Sequence, residues 1–310
     1  MSVVVTGSSG FIGSHLCARL ARAGLNGALG GLDILTAPAG MPCPAVVADI
    51  NSADAIRHAI PGGAETVLHL AAKAEVVIPF DELPDLNSTN VTGTINILTA
   101  LSPRTLLFAS SSAVYGNGPR PDVDTSWSHV NPVGAYGMTK AAAELACGDW
   151  ARQTGGSVVS FRLGNVIGAR CRGLIPYLTR HARRYPDGAI PVRMRGNGQI
   201  VRDYVPVDYV VEIFHRASRM TWRPGEARAF NIGTGRGMTN LEVAHIVRDL
   251  LRTRGYELRI DPSLPLEPGE ADHVVLAMDE TARTFELPVP DEDAVREAIA
   301  AAVAAALDGD

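Results

Sequence analysis

Tyr136 and Lys140 stand four residues apart in AYGMTKAAAEL, at the start of an alanine-rich stretch that reads as a helix. At that spacing both side chains point the same way, so a phenol and an ammonium could act together on one proton. Y-x-x-x-K by itself is a weak signal, because most such pairs are surface residues. The run SSSAVYG at 110–116 sharpens it: Ser111 lies 25 residues before Tyr136, across one loop from the end of a strand. Serine is also among the commonest loop residues, so a plain turn stands beside the chemical reading.

A second constellation, TGSSGFIGSHL, places Gly7, Gly10 and Gly13 between a strand and a helix. Glycines allow the tight turn and let the backbone approach a pyrophosphate, which the helix N-terminus favours electrostatically. Asp33 closes the next strand 20 residues after Gly13. A carboxylate there accepts hydrogen bonds from an adenosine ribose and repels a 2′-phosphate, so NAD is expected in preference to NADP. The bland readings are a glycine turn without a ligand and, for Asp33, a helix cap or loop carboxylate.

These residues need elements to hold them, and the first half of the chain alternates β-branched runs with helical ones. Strands are expected at VVVT (3–6), GALGGLDIL (27–35), AVVADI (45–50), ETVLHLAA (65–72), TLLFASSS (105–112) and SVVSFRLGNV (157–166). Ile12, Leu16 and Leu20 recur at helical spacing before Gly24, and helices are read from Thr89 to Leu101 and from Ala135 to Trp150. The alternation specifies an α/β fold, a Rossmann-type doubly wound parallel sheet covered on both faces. In such a sheet the strand end that carries Ser111 faces the cofactor cleft.

After about Gly168 proline, glycine and arginine become frequent and the strands short. RDYVPVDYVVEIFHRAS, followed by AFNIGTG, reads as a regular unit that returns to the first domain. The expected organisation is an NAD-binding domain over 1–167 with a return segment at 203–233. A smaller, partly interleaved α/β substrate domain takes 168–202 and 234–310. In AVREAIAAAVAAALDG, Val295, Ile299, Val303 and Leu307 form one packing stripe.

At 310 residues, 46% hydrophobic and 20% charged, the chain has the balance of a soluble globular protein with a substantial core. A net charge of -5 argues against nucleic-acid binding driven by bulk electrostatics. No apolar run reaches the ~18 residues of a membrane span. The N-terminus enters a strand without the basic region of an export signal. Cys17, Cys43, Cys147 and Cys171 show no C-x-x-C spacing and the eight histidines no H-x-x-x-H pair, so no metal site is expected. A reducing cytoplasm is the expected compartment.

Taken jointly, TGSSGFIGSHL, Asp33, ADI (48–50), HLAA (69–72), NVTGTINIL (90–98), SSSAVYG, YGMTK, FRLGNVIG, RDYVPVD and NIGTG resemble the extended short-chain dehydrogenases/reductases. Within that group the pattern is similar to the NAD-dependent nucleotide-sugar epimerases and dehydratases, over nearly the whole chain. The resemblance implies Ser111, Tyr136 and Lys140 as the catalytic triad. It implies cofactor contacts from Phe11 and Ile12 beside the three glycines, from Asp49 and Ile50, and from Leu70, Ala71, Ala72, Asn90 and Leu163. Ser110 borders the cofactor in this reading, and Ser112 is a pocket hydroxyl or a strand-end residue. Moving a phenol down from a pKa near 10 by roughly 3 units takes about 4 kcal/mol of differential interaction, which an ammonium and the nicotinamide charge could supply. Lys140 would also hold the nicotinamide ribose, and Ser111 the sugar oxygen from which Tyr136 takes a proton.

In the related 4,6-dehydratases an acid pair follows the catalytic hydroxyl; here those positions are Ser112 and Ala113. A methyl group transfers no proton, so elimination lacks its acid, and the decarboxylating relatives are disfavoured by the same gap. Asn165 and Arg202 match positions that contact the sugar and the diphosphate, and Leu174 and Ile175 of LIP match a segment whose backbone reaches the nucleotide. Arg202 has an alternative as an ion-pair partner of Asp203 or Asp208. Many relatives carry an arginine where EPGEAD has Glu267, so a diphosphate contact must come from elsewhere, such as Arg193 or Arg195. In similar enzymes that epimerise uronic acids an arginine in this segment sits close to the carboxylate, so the resemblance implies that Arg170 or Arg172 could meet a hexuronate; a solvent-facing basic loop is the alternative. Cys171 reads as a small packing residue.

The leading reading is an NAD-dependent nucleotide-sugar epimerase, a UDP-hexose or UDP-hexuronate 4-epimerase working through a transient 4-keto sugar, and a homodimer as similar enzymes are. Its rivals are a 4-keto-sugar reductase or dehydrogenase that releases its cofactor, and a non-catalytic NAD-sensing regulator on the same fold.

Overall fold

The computed structural model describes residues 3–25, 28–37, 40–75, 78–117, 124–126, 129–267 and 269–309. The Gly27 start of the second expected strand and Pro268 of EPGEAD lie outside that set. In the first half the order is β1 (Val3–Thr6), α1 (Phe11–Arg22), β2 (Leu29–Asp33), β3 (Ala45–Val47), α2 (Ala53–Ala59), β4 (Thr66–His69), α3 (Leu83–Asn87), α4 (Gly93–Leu101), β5 (Thr105–Ser111) and α5 (Ala135–Thr154). There follow β6 (Ser157–Leu163), β7 (Asn165–Ile167), α6 (Leu174–Arg184), β8 (Val192–Arg193), β9 (Val201–Pro206), α7 (Val207–Arg219) and β10 (Ala227–Ile232). The chain ends with β11 (Gly237–Thr239), α8 (Asn240–Arg252), β12 (Ile260–Asp261), β13 (His273–Val274), α9 (Asp279–Phe285) and α10 (Glu292–Asp308).

Seven strands form a parallel sheet in the order β10-β6-β5-β4-β1-β2-β3. β1 is buried throughout, as a run apolar on both faces must be in a sheet covered on both sides. One core, with Leu16, Leu20, Phe161 and Phe230, packs α1, α7 and the aromatic end of the sheet. The other, with Ile56, Ile97, Leu106 and Phe108, fills the opposite side under α2, α4 and α5. The order reverses between β1 and β4, and in such sheets ligands bind at that switch, beyond the carboxyl ends of the strands.

A second, smaller sheet joins β11, β9 and β13, with β7 also paired to β9, and α6, α8 and α10 enclose a third core around it. The expected stripe on α10 is seen: Val295, Ile299 and Val303 are buried and Leu307 packs against the same core. Of the unit at 203–233, Asp203–Pro206 lies in this small sheet, whereas β10 pairs with β6 and α7 packs on α1.

The elements differ from the sequence reading in three places. The strand expected at 157–166 is two strands in different sheets, because at Gly164 the chain passes so close to β9 that a Cβ would sit 2.6 Å from the Asp203 carbonyl oxygen. AVVADI pairs only over Ala45–Val47; Asp49 then accepts from Asn51 N (2.9 Å), and Ser52 caps α2 by accepting from Ala55 N. The helix expected from Thr89 is preceded by α3 and a π-helical turn at Ser88–Thr92.

Candidate active site

The glycine loop is a cradle that side chains would fill. Gly7 has φ +68°, and a Cβ on it would lie 2.7 Å from Ala71 N; on Gly13 a Cβ would meet Gly7 O at 2.0 Å. Gly10 caps α1 without any side-chain bond to the first turn, so those N–H groups face outward with the helix dipole behind them. Asp33, buried at the end of β2, accepts from Ser9 N (2.8 Å) and Leu35 N (3.0 Å), which fixes the carboxylate beside the loop. Phe11 and Ile12 occupy the first turn of α1, partly exposed. The residues present therefore fit NAD, whose pyrophosphate the Gly10–Ile12 N–H groups would hold and whose ribose Asp33 would hold.

The wall opposite is held by a buried hydrogen-bond chain that sequence reasoning missed. Thr94 Oγ1 donates to Asn90 O (2.7 Å), so its lone pair accepts from His69 Nε2 (3.0 Å). Thr6 Oγ1 accepts from Ala71 N (3.2 Å) and donates to His69 Nδ1 (2.6 Å). These bonds fix a neutral Nε2–H tautomer, and burial pushes the imidazole down to about 3. The Thr6 bonds also hold Leu70 and Ala71 beside the glycine loop, with Ala72 next in the chain. Asn90 accepts from Lys73 N (2.9 Å) and donates to Lys73 O (2.9 Å) and Thr139 Oγ1 (3.0 Å), tying this segment to α5. Ile50 is buried against Gly93, while Asp49 beside it is exposed.

At the carboxyl end of β5, Ser111 accepts from Ala113 N (3.1 Å) and starts the short 3-10 turn Ser112–Tyr115. Gly137 lets α5 come against that turn; a Cβ there would be 2.3 Å from Ala113 O. The approach brings Tyr136 close enough to Ser111 for the serine to favour the phenolate. One helical turn on, the buried Lys140 donates to Ala109 O (2.9 Å), with its ammonium 6.0 Å from the Tyr136 ring centroid. The structure thus brings all three predicted catalytic residues together.

In the protein alone their electrostatics are set by burial. Burial pushes Tyr136 up to about 12, partly offset by Ser111, with the charge of Glu75 adding to the rise. Burial also pushes Lys140 down to about 8, and its ammonium is committed to a carbonyl rather than to the phenol. Desolvation outweighs the neighbouring cation in the protein alone.

Behind the triad lies a second network invisible to motif reading. Arg162, fully buried in β6, binds Glu144 of α5 through Nη2 (2.7 Å) and Nε (3.1 Å), and donates to Tyr115 OH (3.0 Å). Tyr115 OH in turn donates to Asn231 Oδ1 (2.6 Å). Ser110 donates to Glu144, so its side chain belongs to this network, and only its backbone is left to border a cofactor. A signal was available: a lone arginine inside an apolar strand demands a buried acid. Ser112 is buried, and Leu163 lies beside Ser111 in the sheet register.

The expected substrate side is looser. Asn165 is exposed at the start of β7. Arg202 donates to Ala271 O (2.6 Å) and Val201 O (2.9 Å) and lies 3.7 Å from Glu270. Its suggested partner Asp203 is instead engaged by Thr234 N (2.6 Å), Thr234 Oγ1 (2.7 Å), Gly235 N (3.0 Å) and Leu276 N (3.2 Å). Arg195 pairs with Glu267 (3.7 Å), and Arg193 with Asp261 (3.7 Å). Arg170 has φ +69° and donates to Ser14 Oγ (3.3 Å); Arg172 is exposed, ahead of Leu174 and the buried Ile175 on α6. Among the described residues no cluster of metal-ligating side chains occurs, and no helix is long and apolar enough to cross a membrane.

Comparison with known proteins identifies the family. The chain is 28% identical to UDP-arabinose 4-epimerase 1 of Arabidopsis thaliana over 304 residues, covering 86% of this chain and 70% of that one. The structure of MoeE5 in complex with UDP-glucuronic acid and NAD is similar at a TM-score of 0.85 and 26% identity, with 99% of both chains covered. The UDP-glucose 4-epimerase of Thermus thermophilus, in complex with NAD, gives 0.82 and 27%, over the full length of both. With its residues 3–233 matching the family's sequence profile, the chain belongs to the NAD dependent epimerase/dehydratase family.

Proposed function

We propose that the chain is a UDP-sugar 4-epimerase in which Ser111, Tyr136 and Lys140 are the catalytic residues. One observation carries the reading: Tyr136 and Lys140 of α5 are packed against the carboxyl end of β5 that bears Ser111, with the methyl of Ala113 where an eliminating enzyme needs an acid. NAD bound on Gly7, Gly10, Gly13 and Asp33 supplies a hydride acceptor that can also give the hydride back. Ser111 holds the C4 oxygen, and Tyr136 takes its proton as that carbon is oxidised. Below its pKa of about 8, Lys140 contributes positive charge near the phenol. The 4-keto sugar then turns, and Tyr136 returns the proton to the oxygen of the other epimer. In this reading the seven-stranded sheet holds the cofactor, and the segments 168–202 and 234–310 hold the nucleotide sugar.

Arg172 favours a UDP-hexuronate over a neutral UDP-hexose. Arg172 has no ion-pair partner among the described residues, and its exposed guanidinium is free to bind a carboxylate in a bidentate fork. MoeE5 is seen with UDP-glucuronic acid and with UDP-glucose, so it supports the UDP-sugar class, and Arg172 alone carries the choice of a hexuronate. The test is a panel of UDP-sugars deuterated at C4, incubated in ordinary water and read by NMR. The C4 epimer should form with its deuterium retained and no 4-keto-6-deoxy sugar. Loss of label to solvent, or accumulation of that ketone, overturns the reading. Tightly retained NAD separates an epimerase from a reductase, which must exchange its cofactor, and any turnover excludes a silent regulator.

Two further assignments concern assembly and compartment. Ile95 on α4 and Met138 and Leu145 on α5 are 40%, 48% and 59% exposed, an apolar strip suited to pairing these helices with a second copy in a homodimer. A one-chain mass by light scattering at micromolar concentration would refute it. The four free cysteines fit a reducing cytoplasm, which cell fractionation would check.

A further inference from the structure

Cys17 and Cys43 are 26 positions apart in sequence, yet their sulfurs lie 2.9 Å from each other. That is closer than two unbonded sulfurs settle, and only about 0.9 Å longer than a disulfide bond. Both side chains are buried, at 0% and 3% exposure. Each is fixed by a different element. Cys17 sits on the core face of α1 between Leu16 and Leu20, the helix whose first turn forms the pyrophosphate cradle. Cys43 precedes Pro44, whose carbonyl accepts from Gly31 N (2.7 Å) where β2 and β3 begin to pair.

We propose that Cys17 and Cys43 are a redox-active dithiol that closes into an intramolecular disulfide, stapling the glycine-loop helix to the sheet edge behind Asp33. Cys43 is the attacking sulfur. The adjacent Cys17 thiol donates a hydrogen bond to the Cys43 thiolate and lowers its pKa, whereas Cys17 itself is held well above the usual thiol range by that same bond and by burial. A small-molecule disulfide such as oxidised glutathione serves as oxidant. The Cys43 thiolate attacks one of its sulfurs, its S–S bond breaks, and the first glutathione leaves as a thiol after taking a proton from solvent. Cys17 then attacks the Cys43 sulfur of the mixed disulfide. The second glutathione departs with the Cys17 proton, so two cysteine thiols are oxidised as one disulfide is reduced to two thiols. Because the sulfurs are already in place, the bond changes the adenosine end of the site little.

The test treats native, NAD-loaded protein with oxidised glutathione. Titratable thiols should fall from the four of the free form to two. The intact mass should drop by two hydrogens with no glutathione attached, and a peptide map should join the Cys17 and Cys43 peptides. The closed loop restricts the unfolded chain, so the melting temperature should rise by about 5 °C and return on reduction. Cys147→Ser should keep these changes, and Cys43→Ser should lose them; the wild-type peptide map decides the matter if Cys43→Ser does not fold. Persistence of all four thiols, a stable glutathione adduct, a bridge to Cys147 or Cys171, or release of NAD on oxidation would each overturn the proposal.

Discussion

Arg162 and Arg172 sit ten residues apart and show how differently the two lobes are built. Arg162 is sealed in the main sheet, bound to Glu144 and Tyr115 at 2.7–3.1 Å, and holds β5, β6 and α5 in one geometry. Arg172 stands exposed just before α6, and Arg193 and Arg195 reach acids only at 3.7 Å. A reaction that needs a proton and a hydride aligned gains from rigidity, because a base must already be in place when the bond breaks. A rim that seizes a charged, turning sugar gains from long adaptable side chains. The buried half should therefore respond to single changes by orders of magnitude, and the rim by small factors.

The largest effect should come from Tyr136→Phe. The ring keeps its packing between Ser111 and Lys140, but the proton acceptor is gone, and a loss on the order of 10²–10⁴-fold in kcat follows. NAD content of the purified variant should be unchanged, because the glycine cradle and Asp33 are intact. Ser111→Ala should cost less, since it removes one hydrogen bond and leaves the base. Steady-state kinetics on the true substrate decide: near-full activity of Tyr136→Phe would break the claim that the buried half carries the chemistry.

The next effect is on stability. His69 is held neutral, with its folded pKa pushed down to about 3 from 6.5 by burial. A depressed histidine contributes stability that is fully present above the unfolded pKa of 6.5 and is lost as the pH falls toward 3, because only the unfolded chain binds the proton in that window. The slope from this one group reaches about 1.4 kcal/mol per pH unit. His69→Gln, which can donate to Thr94 and accept from Thr6, should flatten the denaturant-measured stability profile between those limits by that amount. An unchanged slope would mean that the Thr6–His69–Thr94 chain opens to solvent and that the wall of the cofactor site is less rigid than drawn.

The two halves also differed in how much could be read beforehand. Gly7, Gly13 and Asp33 were legible because their jobs are local: a positive φ, a close backbone approach, a carboxylate at a strand end. The partnership of Ser111, Tyr136 and Lys140 was legible through the family resemblance, and the parallel sheet through its apolar runs. What stayed hidden depends on residues far apart in sequence. Nothing local says that Ser110 serves Glu144 rather than a cofactor, that Gly137 must lack a side chain because Ala113 O lies beneath it, or that Asp203 is spent on Thr234 and Gly235 instead of Arg202. Desolvation is equally hidden: in the protein alone burial raises Tyr136, whereas the lowering expected from the sequence drew on the nicotinamide charge as well as the ammonium.

The smallest effect, and the sharpest on the rim, should be that of Arg172→Ala. Its guanidinium is exposed and makes no ion pair among the described residues, so its removal disturbs no packing and leaves no buried acid unpaired. If it meets the carboxylate of a hexuronate, the contact is a solvent-screened ion pair worth up to about 1 kcal/mol, or roughly a fivefold rise in KM. kcat should hold, because the interaction is the same before and after C4 is oxidised and so contributes equally to ground and transition states. A neutral UDP-hexose has no carboxylate to lose, and its KM should be unaffected, which makes the ratio of the two KM changes the measurement that matters. Raising the ionic strength should shrink the wild-type advantage for the hexuronate and leave the variant indifferent, since only the screened charge is at stake. Equal KM changes for both sugars would place Arg172 on the diphosphate, and a fall in kcat would mean that the rim shares the rigidity of the buried half.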